Sequence, residues 1–130
     1  MKIERTIIAA LFFALVIKMF FFDFTIVEGS SMQPSLKNGT VLIVNRLNYG
    51  FRPFMISRYL VHWASPQVGD VVVFFTPLGD IAVKRCSAVL HEDDKIFFTA
   101  LGDNSLESFD SRSYGNVPID NLIGRALWVK

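Results

Sequence analysis

The sequence predicts a mostly β protein, with a compact antiparallel β domain that follows one N-terminal transmembrane helix. Residues 7–22 form an apolar segment whose only charge is Lys18. From residue 40 onward, short runs rich in β-branched and aromatic residues alternate with turn-forming Gly, Pro, Asn and Asp. These observations divide the chain into residues 1–24, a tail and membrane anchor, and residues 25–130, an extracytoplasmic β domain.

The composition excludes several classes of protein and of site. The 130 residues carry a net charge of +1, with scattered lysines and arginines, which is not typical of a nucleic-acid-binding protein. Cys86 is the single cysteine, so an internal disulfide cannot form and a cysteine-based zinc site is disfavoured. We therefore expect no cofactor and no metal.

The apolar N-terminal segment has the length of a membrane span. Extended through Phe24, a helix reaches about 27 Å at ~1.5 Å per residue. Lys18 lies near the far end, where a long side chain can reach the interface, and Lys2 and Arg5 favour an N-terminus on the inside. One alternative is a secretory signal cleaved next to Gly29. The other, a buried core helix, is disfavoured because the remaining chain has the pattern of strands.

The chain after the anchor alternates strands with turns, except in one segment. The predicted strands are residues 40–45, 70–75, 81–89, 95–99 and 122–129. In residues 50–65 the apolar side chains instead follow a helical stripe, made of Met55, Ile56, Tyr59, Leu60 and Trp63. This pattern predicts a segment that lies on the lipid surface or covers the open side of the sheet.

Residues 29–36 present a serine in a stiffened, non-helical segment. Pro34 removes a backbone donor and pushes Gln33 toward an extended conformation, while Gly29 allows backbone angles that a side chain would block. Ser31 is therefore a candidate nucleophile. Taken alone, however, clusters of Ser, Gly and Pro are more often simple turns.

A pair of adjacent cations interrupts the apolar run 81–85. Lys84 and Arg85 must face opposite sides of a strand, so one of them points toward the apolar face. Burial lowers the pKa of a lysine because it disfavours the ammonium form. A neutral amine accepts a serine proton, so Lys84 is a candidate general base.

A polar segment, residues 102–115, completes the pattern. Its Asp, Asn, Ser and Gly residues are typical of a solvent loop, and its carboxylates lack the alternating spacing of a calcium loop. Together, four stretches of the chain resemble the type I signal peptidases of the S26 family. They are Ser-Met-Gln-Pro-Ser-Leu at 31–36, Gly-Asp-Val-Val-Val-Phe at 69–74, Lys-Arg at 84–85, and the Gly-Asp-Asn and Ser-Phe-Asp-Ser-Arg strings in 102–112. The type I signal peptidases are membrane-anchored serine proteases with a Ser/Lys dyad.

The resemblance implies a role for several side chains. Ser31 would be the nucleophile, Lys84 the general base, and Ser108 the serine that orients the lysine amine. The Ser31 N–H would form one arm of the oxyanion hole; Gly29 stands where some members have a serine as the second arm, and Ser30 is a candidate for it. Two ion pairs would brace the last loop: Arg85 with Asp103, and Arg112 with Asp110.

The resemblance also implies a mode of substrate binding. The substrate would lie as an added strand between residues 27–31 and 80–84, held by main-chain hydrogen bonds. Shallow pockets for small side chains would be lined by Val27, Met32, Leu36, Ala82 and Val83. Glu28, where many members have proline, and residues 86–94, which lack the usual Gly-Leu-Pro-Gly-Asp turn, depart from the family pattern.

The function implied is that of an endopeptidase that removes signal peptides from exported preproteins after small residues. Its partners would be signal peptides emerging from the translocon and the lipid bilayer, with the catalytic domain on the outer face of a bacterial-type cytoplasmic membrane. Ser31 follows Phe24 by seven residues, within about 25 Å of the bilayer even if extended. The alternatives are a protease dedicated to a pilin or conjugation-type substrate, and an inactive anchored peptide-binding module.

Three further side chains are not expected to react. His62 lies in the amphipathic segment and His91 in an acidic turn, so neither has the buried carboxylate partner of a Ser/His/Asp triad. Cys86 is expected to be a small core residue.

Overall fold

A computed structural model describes residues 2–52, 56 and 58–127 of the chain. It contains an N-terminal helix, α1 (Lys2–Phe21), and a short helix, α2 (Ser111–Tyr114), with 3-10 turns at Ser105–Glu107 and Ile119–Asn121. The strands are β1 (Phe22–Ile26), β2 (Val41–Asn45), β3 (Gly50–Phe51), β4 (Val61–His62), β5 (Val71–Phe75), β6 (Ile81–Glu92), β7 (Lys95–Leu101), β8 (Val117–Pro118) and β9 (Leu122–Leu127).

Seven strands form one antiparallel sheet, which confirms the predicted mostly β fold. The spatial order is β1-β2-β9-β5-β6-β7-β8. The long strand β6 has two different halves: it pairs with β5 over residues 81–85 and with β7 from Arg85 onward. Its first half is therefore open on one side, and β1 is the outermost strand at one end of the sheet.

The sheet encloses a core with two clusters. One lies under the β1 to β2 region, and the other is centred on Phe74 and Phe98, whose rings meet edge to face at 5.3 Å. The first cluster consists of Val27, Met32, Leu36, Leu42, Val44, Val71, Val73, Ile123 and Ala126. Burial of these apolar side chains, which come from the strands and from the segment between β1 and β2, supplies the main driving force for the fold.

The helical interpretation of residues 50–65 is wrong for its described part. Gly50–Phe51 and Val61–His62 form a small two-stranded sheet, with Gly50 opposite His62. A side chain at residue 50 would overlap the carbonyl oxygen of Val61, so glycine permits this close approach. Met55 of the proposed stripe lies outside the described residues.

The N-terminal helix is shorter than predicted. It ends at Phe21, and Phe22–Ile26 forms an edge strand whose Phe22 and Ile26 lie opposite Asn45 and Val41 of β2. Main-chain pairing with β2 therefore takes Phe22 and Phe24 out of the helix. The division at residue 24 stays a prediction.

Of the helices in the described part of the chain, none combines the length and the apolar character that crossing a membrane requires.

The remaining predicted strands are present with small changes at their ends. β6 continues to Glu92 because the chain reverses in a tight turn at Asp93, which adopts a positive φ of 52°. β7 continues to Leu101, which pairs with Arg85 of β6. β9 is described to Leu127, so the predicted residues 128 and 129 lie outside the described part.

Candidate active site

The segment after β1 holds Ser31 above the core. The Val27 N–H donates to the Thr40 carbonyl at 2.8 Å, and the Gly39 N–H donates to the Val27 carbonyl at 2.7 Å. A turn follows, closed by the hydrogen bond from the Leu36 N–H to the Met32 carbonyl at 2.9 Å. Both Met32 and Leu36 are buried, at 0% and 2% exposure, which anchors the turn that begins beside Ser31.

Lys84 reaches Ser31 across the first half of β6. The distance from Lys84 Nζ to Ser31 Oγ is 2.6 Å, and Lys84 is only 6% exposed. Burial lowers the pKa of Lys84; the charge of Asp110 opposes this effect, and that of Arg112 adds to it. The hydroxyl and the amine are thus in contact in a setting that favours the neutral amine.

Ser108 lies near the Ser31 carbonyl, across Gly102, and is bonded to a buried carboxylate. Its hydroxyl donates to Asp110 Oδ2 at 2.6 Å, and Asp110 is fully buried. Asp110 also accepts from the Gly102 N–H at 2.8 Å and from Arg112 Nε at 2.9 Å. Burial alone would raise the pKa of Asp110, but the hydrogen bonds from Arg112, Ser108 and Gly102 outweigh it and hold that pKa well below its usual range.

Gly102 lets the Ser108 loop approach Ser31. A side chain at residue 102 would overlap the Ser108 side chain and would lie 2.7 Å from the Ser31 carbonyl oxygen. Only glycine fits between these two serines.

The two predicted ion pairs are present in the structure. Arg85 donates from Nε and Nη2 to the two carboxylate oxygens of Asp103, at 2.9 and 2.8 Å, and from Nη1 to the Gly69 carbonyl at 2.9 Å. The hydrogen bonds from Arg85 lower the pKa of Asp103. Arg112 pairs with Asp110 as described above.

In the segment Gly29 to Ser31, the N–H groups of Ser30 and Ser31 are main-chain donors without an acceptor among the described residues. The Gly29 N–H donates to Asn38 Oδ1 at 2.9 Å, and the Ser30 hydroxyl donates to Glu107. Among the residues that the structure describes, the Ser31 N–H has no acceptor. Ser30 stays a candidate for the second oxyanion arm: its hydroxyl hydrogen is directed to Glu107, but its N–H has no acceptor among the described residues.

Two residues of the site were missed by the sequence analysis. The Asn104 N–H donates to the Ser31 carbonyl at 2.8 Å, and Asn104 Nδ2 donates to the Ser30 carbonyl at 3.1 Å. Glu107 accepts the Ser30 hydroxyl. Asn104 belongs to the Gly-Asp-Asn string, which marks the loop, but no local pattern connects it with a segment more than 70 residues away.

A groove with a volume of about 1020 Å³ leads to the Ser31 and Lys84 side chains. It lies between β1 with the residues after it and the open first half of β6, and Val27, Ala82 and Val83 are among its lining residues. Met32 and Leu36 do not line it. The prediction of a pocket role for these two is corrected, because they belong to the core below the nucleophile segment.

The described residues offer no second catalytic centre. His62, in β4, and His91, near the end of β6, are both exposed. Cys86 is buried at 1% exposure, and burial raises the pKa of its thiol to about 11. Within residues 2–52, 56 and 58–127, no three His, Cys, Asp or Glu side chains are grouped to hold a metal ion.

Comparison with known proteins places this arrangement in a family. The family described as signal peptidase, peptidase S26, matches residues 1–96 and 90–129. A signal peptidase I of Bacillus caldolyticus is 26% identical over 84% of this chain and 79% of its own length. A probable signal peptidase I-1 of Synechocystis sp. is 27% identical over 94% of this chain and 78% of its own length.

A plant protein shows the same likeness over a smaller part of its own length. The thylakoidal processing peptidase 1 of Arabidopsis thaliana is 24% identical over 78% of this chain, and the match covers 40% of the plant protein. The family match spans nearly the whole chain and includes the segments that hold Ser31, Lys84 and the 102–112 loop. The chain belongs to peptidase S26, the signal peptidase family.

Proposed function

We propose that this peptidase removes N-terminal signal peptides from exported preproteins, with Ser31 as nucleophile and Lys84 as general base. The observation that carries the proposal is the 2.6 Å contact between Lys84 Nζ and Ser31 Oγ at the end of the groove, with the amine buried. Burial lowers the pKa of this amine, which favours its neutral form, and a neutral amine can accept the serine proton.

Acylation follows from this geometry. Neutral Lys84 takes the proton from Ser31 Oγ while the oxygen attacks the scissile carbonyl carbon, and the carbonyl oxygen becomes an oxyanion. The Ser31 N–H, which has no acceptor among the described residues, donates to that oxyanion. The C–N bond then breaks, and the Lys84 ammonium returns its proton to the amine of the mature protein.

Deacylation repeats these steps with water. Lys84 takes a proton from a water molecule that attacks the acyl carbon, and the proton returns to Ser31 Oγ when the ester bond breaks. Ser108 supports the base: its hydrogen is given to Asp110, so its oxygen lone pairs are left to accept from the lysine amine.

The substrate enters as an added strand between two open sheet edges. The main-chain groups of Val27 are bonded to residues 39 and 40, so alternation along the strand turns those of Ile26 and Glu28 toward the groove. The first half of β6 supplies the opposite edge. Val27, Ala82 and Val83 form an apolar lining that suits small substrate side chains.

The membrane location of this enzyme is part of the proposal. Along α1, eight large apolar side chains are exposed: Ile3, Ile7, Ile8, Leu11, Phe12, Phe13, Leu15 and Ile17. An exposed apolar surface of this kind favours contact with lipid. We propose that α1 anchors the enzyme, N-terminus inside, at the outer face of a bacterial-type cytoplasmic membrane; accessibility to added protease in sealed vesicles tests the orientation.

The function is tested by cleavage of several unrelated preproteins by the detergent-solubilised protein, with Ser31→Ala as the matched variant. The wild type is expected to release the mature proteins after small residues, and Ser31→Ala is expected to fold and to release none. Cleavage by Ser31→Ala at the wild-type rate would overturn the assignment of the nucleophile. Cleavage of only one substrate would indicate a dedicated protease, and cleavage of none a peptide-binding module.

A further inference from the structure

The peptide unit between Ser30 and Ser31 is held at its carbonyl end by the loop 102–108. The Ser30 carbonyl oxygen accepts from Asn104 Nδ2 at 3.1 Å and from the Gln33 N–H at 3.1 Å. The next carbonyl, of Ser31, accepts from the Asn104 N–H at 2.8 Å. Asn104 therefore holds both peptide units that adjoin the nucleophile.

Glu107 holds the same segment through the side chain of Ser30. Its carboxylate accepts the Ser30 hydroxyl, and its own N–H donates to the Asn104 carbonyl at 3.1 Å. These contacts form a closed ring through Ser30, Asn104 and Glu107.

We propose that Asn104 and Glu107 are positioning residues that orient the Ser30–Ser31 peptide, so that its free N–H faces the oxyanion that forms during acylation. The inference rests on the proposed function. A peptide unit is planar, so fixing its carbonyl oxygen also fixes the direction of its N–H. A carbonyl that accepts two hydrogen bonds also polarises the peptide and strengthens the N–H as a donor.

The loop has other contacts that hold it to the sheet. Arg85 of β6 pairs with Asp103 at its start, and the Ala100 N–H of β7 donates to Ser111 Oγ at 2.9 Å just past its end. The side chains of Asn104 and Glu107 instead form hydrogen bonds with Ser30, the residue before the proposed nucleophile. A donor held in advance needs no reorganisation in the transition state, so loss of this hold is expected to lower the rate of the chemical step.

The sharpest variant is Asn104→Asp, which keeps the shape and the main-chain N–H but replaces the Nδ2 donor by an acceptor. We expect kcat to fall about 10- to 100-fold, which is no more than the fall in kcat expected when an oxyanion donor itself is removed. KM should stay within about twofold of the wild-type value. A peptide boronic acid that adds to Ser31 should lose affinity by a similar factor, because it mimics the tetrahedral state. A peptide that binds without reacting should keep its affinity.

Glu107 provides a second pair of variants in case Asn104→Asp does not fold. Glu107→Ala removes the acceptor of the Ser30 hydroxyl and is expected to lower kcat about 3- to 10-fold, a smaller loss than for a direct donor. Glu107→Gln keeps an acceptor oxygen and should restore most of this loss.

The matched control is Asn121→Asp. Asn121 Nδ2 donates to the Phe75 carbonyl at 2.9 Å, so the control loses the same kind of bond outside the nucleophile segment. Wild-type kcat is expected for it.

The proposal is overturned if Asn104→Asp and Glu107→Ala both keep wild-type kcat, or if they weaken binding of the unreactive peptide as much as binding of the boronic acid. Ser31→Ala is assayed in parallel: if it cleaves, the proposed function has failed, whereas if it alone is inactive, only the positioning role has failed.

Discussion

Lys84 and Arg85 are adjacent residues of one strand, yet their two cations have opposite surroundings. Lys84 points into the protein, is 6% exposed, contacts a hydroxyl, and forms no ion pair among the described residues. Arg85 points to the other face, where its guanidinium donates two parallel hydrogen bonds to the carboxylate of Asp103. The alternation of a β-strand thus places the proposed base and a cation held in an ion pair on opposite faces, one residue apart.

The difference shows what burial does to a cation that forms no ion pair among the described residues. The pKa of Lys84 is lowered because the ammonium loses hydration and gains no ion pair, whereas the pKa of Arg85 is raised by its hydrogen bonds to Asp103. A general base needs burial without an ion pair, because this favours its neutral form. A cation that holds two segments together needs a carboxylate partner. Exchanging the type of cation on each face is therefore the direct way to test the comparison.

The largest effect is expected for Lys84→Arg. Arginine stays protonated at any usable pH, so it cannot accept the Ser31 proton, and cleavage should fall at least about 10⁴-fold, as for Lys84→Ala. The measurement is the initial rate of preprotein cleavage, with circular dichroism to verify folding. An active, folded Lys84→Arg enzyme would show that Lys84 is not the base.

The pH dependence of kcat/KM tests whether Lys84 acts in its neutral form. Lys84 must be neutral to act, so activity should be lost as the pH falls through its pKa, about tenfold per pH unit below it. Because the pKa of Lys84 is lowered, this acid limb should lie below the ordinary lysine value of about 10.4. A limb near pH 4 would assign the base to a carboxylate instead.

The smallest effect is expected for Arg85→Lys, the reverse exchange. A lysine at 85 keeps the charge but loses the two parallel bonds to Asp103, which should lower the free energy of unfolding by about 1 kcal/mol. Urea denaturation measures this change. Cleavage should remain within about tenfold of wild type with the acid limb unmoved, and a loss as complete as that of Lys84→Arg would give Arg85 a part in the chemistry.

Much of the fold was predictable because the sequence pattern within each strand indicates that strand. The runs of β-branched residues predicted β2, β5, β6, β7 and β9, and the strand parity at 84 and 85 predicted one buried cation. The stripe in 50–65 misled because five apolar residues fit the 3.6-residue period while Gly50 makes room for a strand pair. Similarly, β1 was missed because its residues continue the apolar segment of the helix.

The candidate site was predictable to a different extent. The contacts of Lys84 with Ser31, Arg85 with Asp103 and Arg112 with Asp110 follow motifs that the family resemblance supplied. The contacts of Asn104 and Glu107 with Ser30 depend on where a distant loop comes to lie, which no local pattern encodes. Met32 and Leu36 were ambiguous because apolar residues beside a nucleophile suit a pocket and a core equally.

The junction of α1 and β1 has a mechanical consequence. The helix ends at Phe21, the strand begins at Phe22, and the Arg46 N–H donates to the Phe21 carbonyl at 2.9 Å, so no flexible spacer separates the two. One wall of the groove therefore follows the helix in the chain with no spacer between them. We expect a change in the tilt of the helix to displace that wall and so to alter the width of the groove.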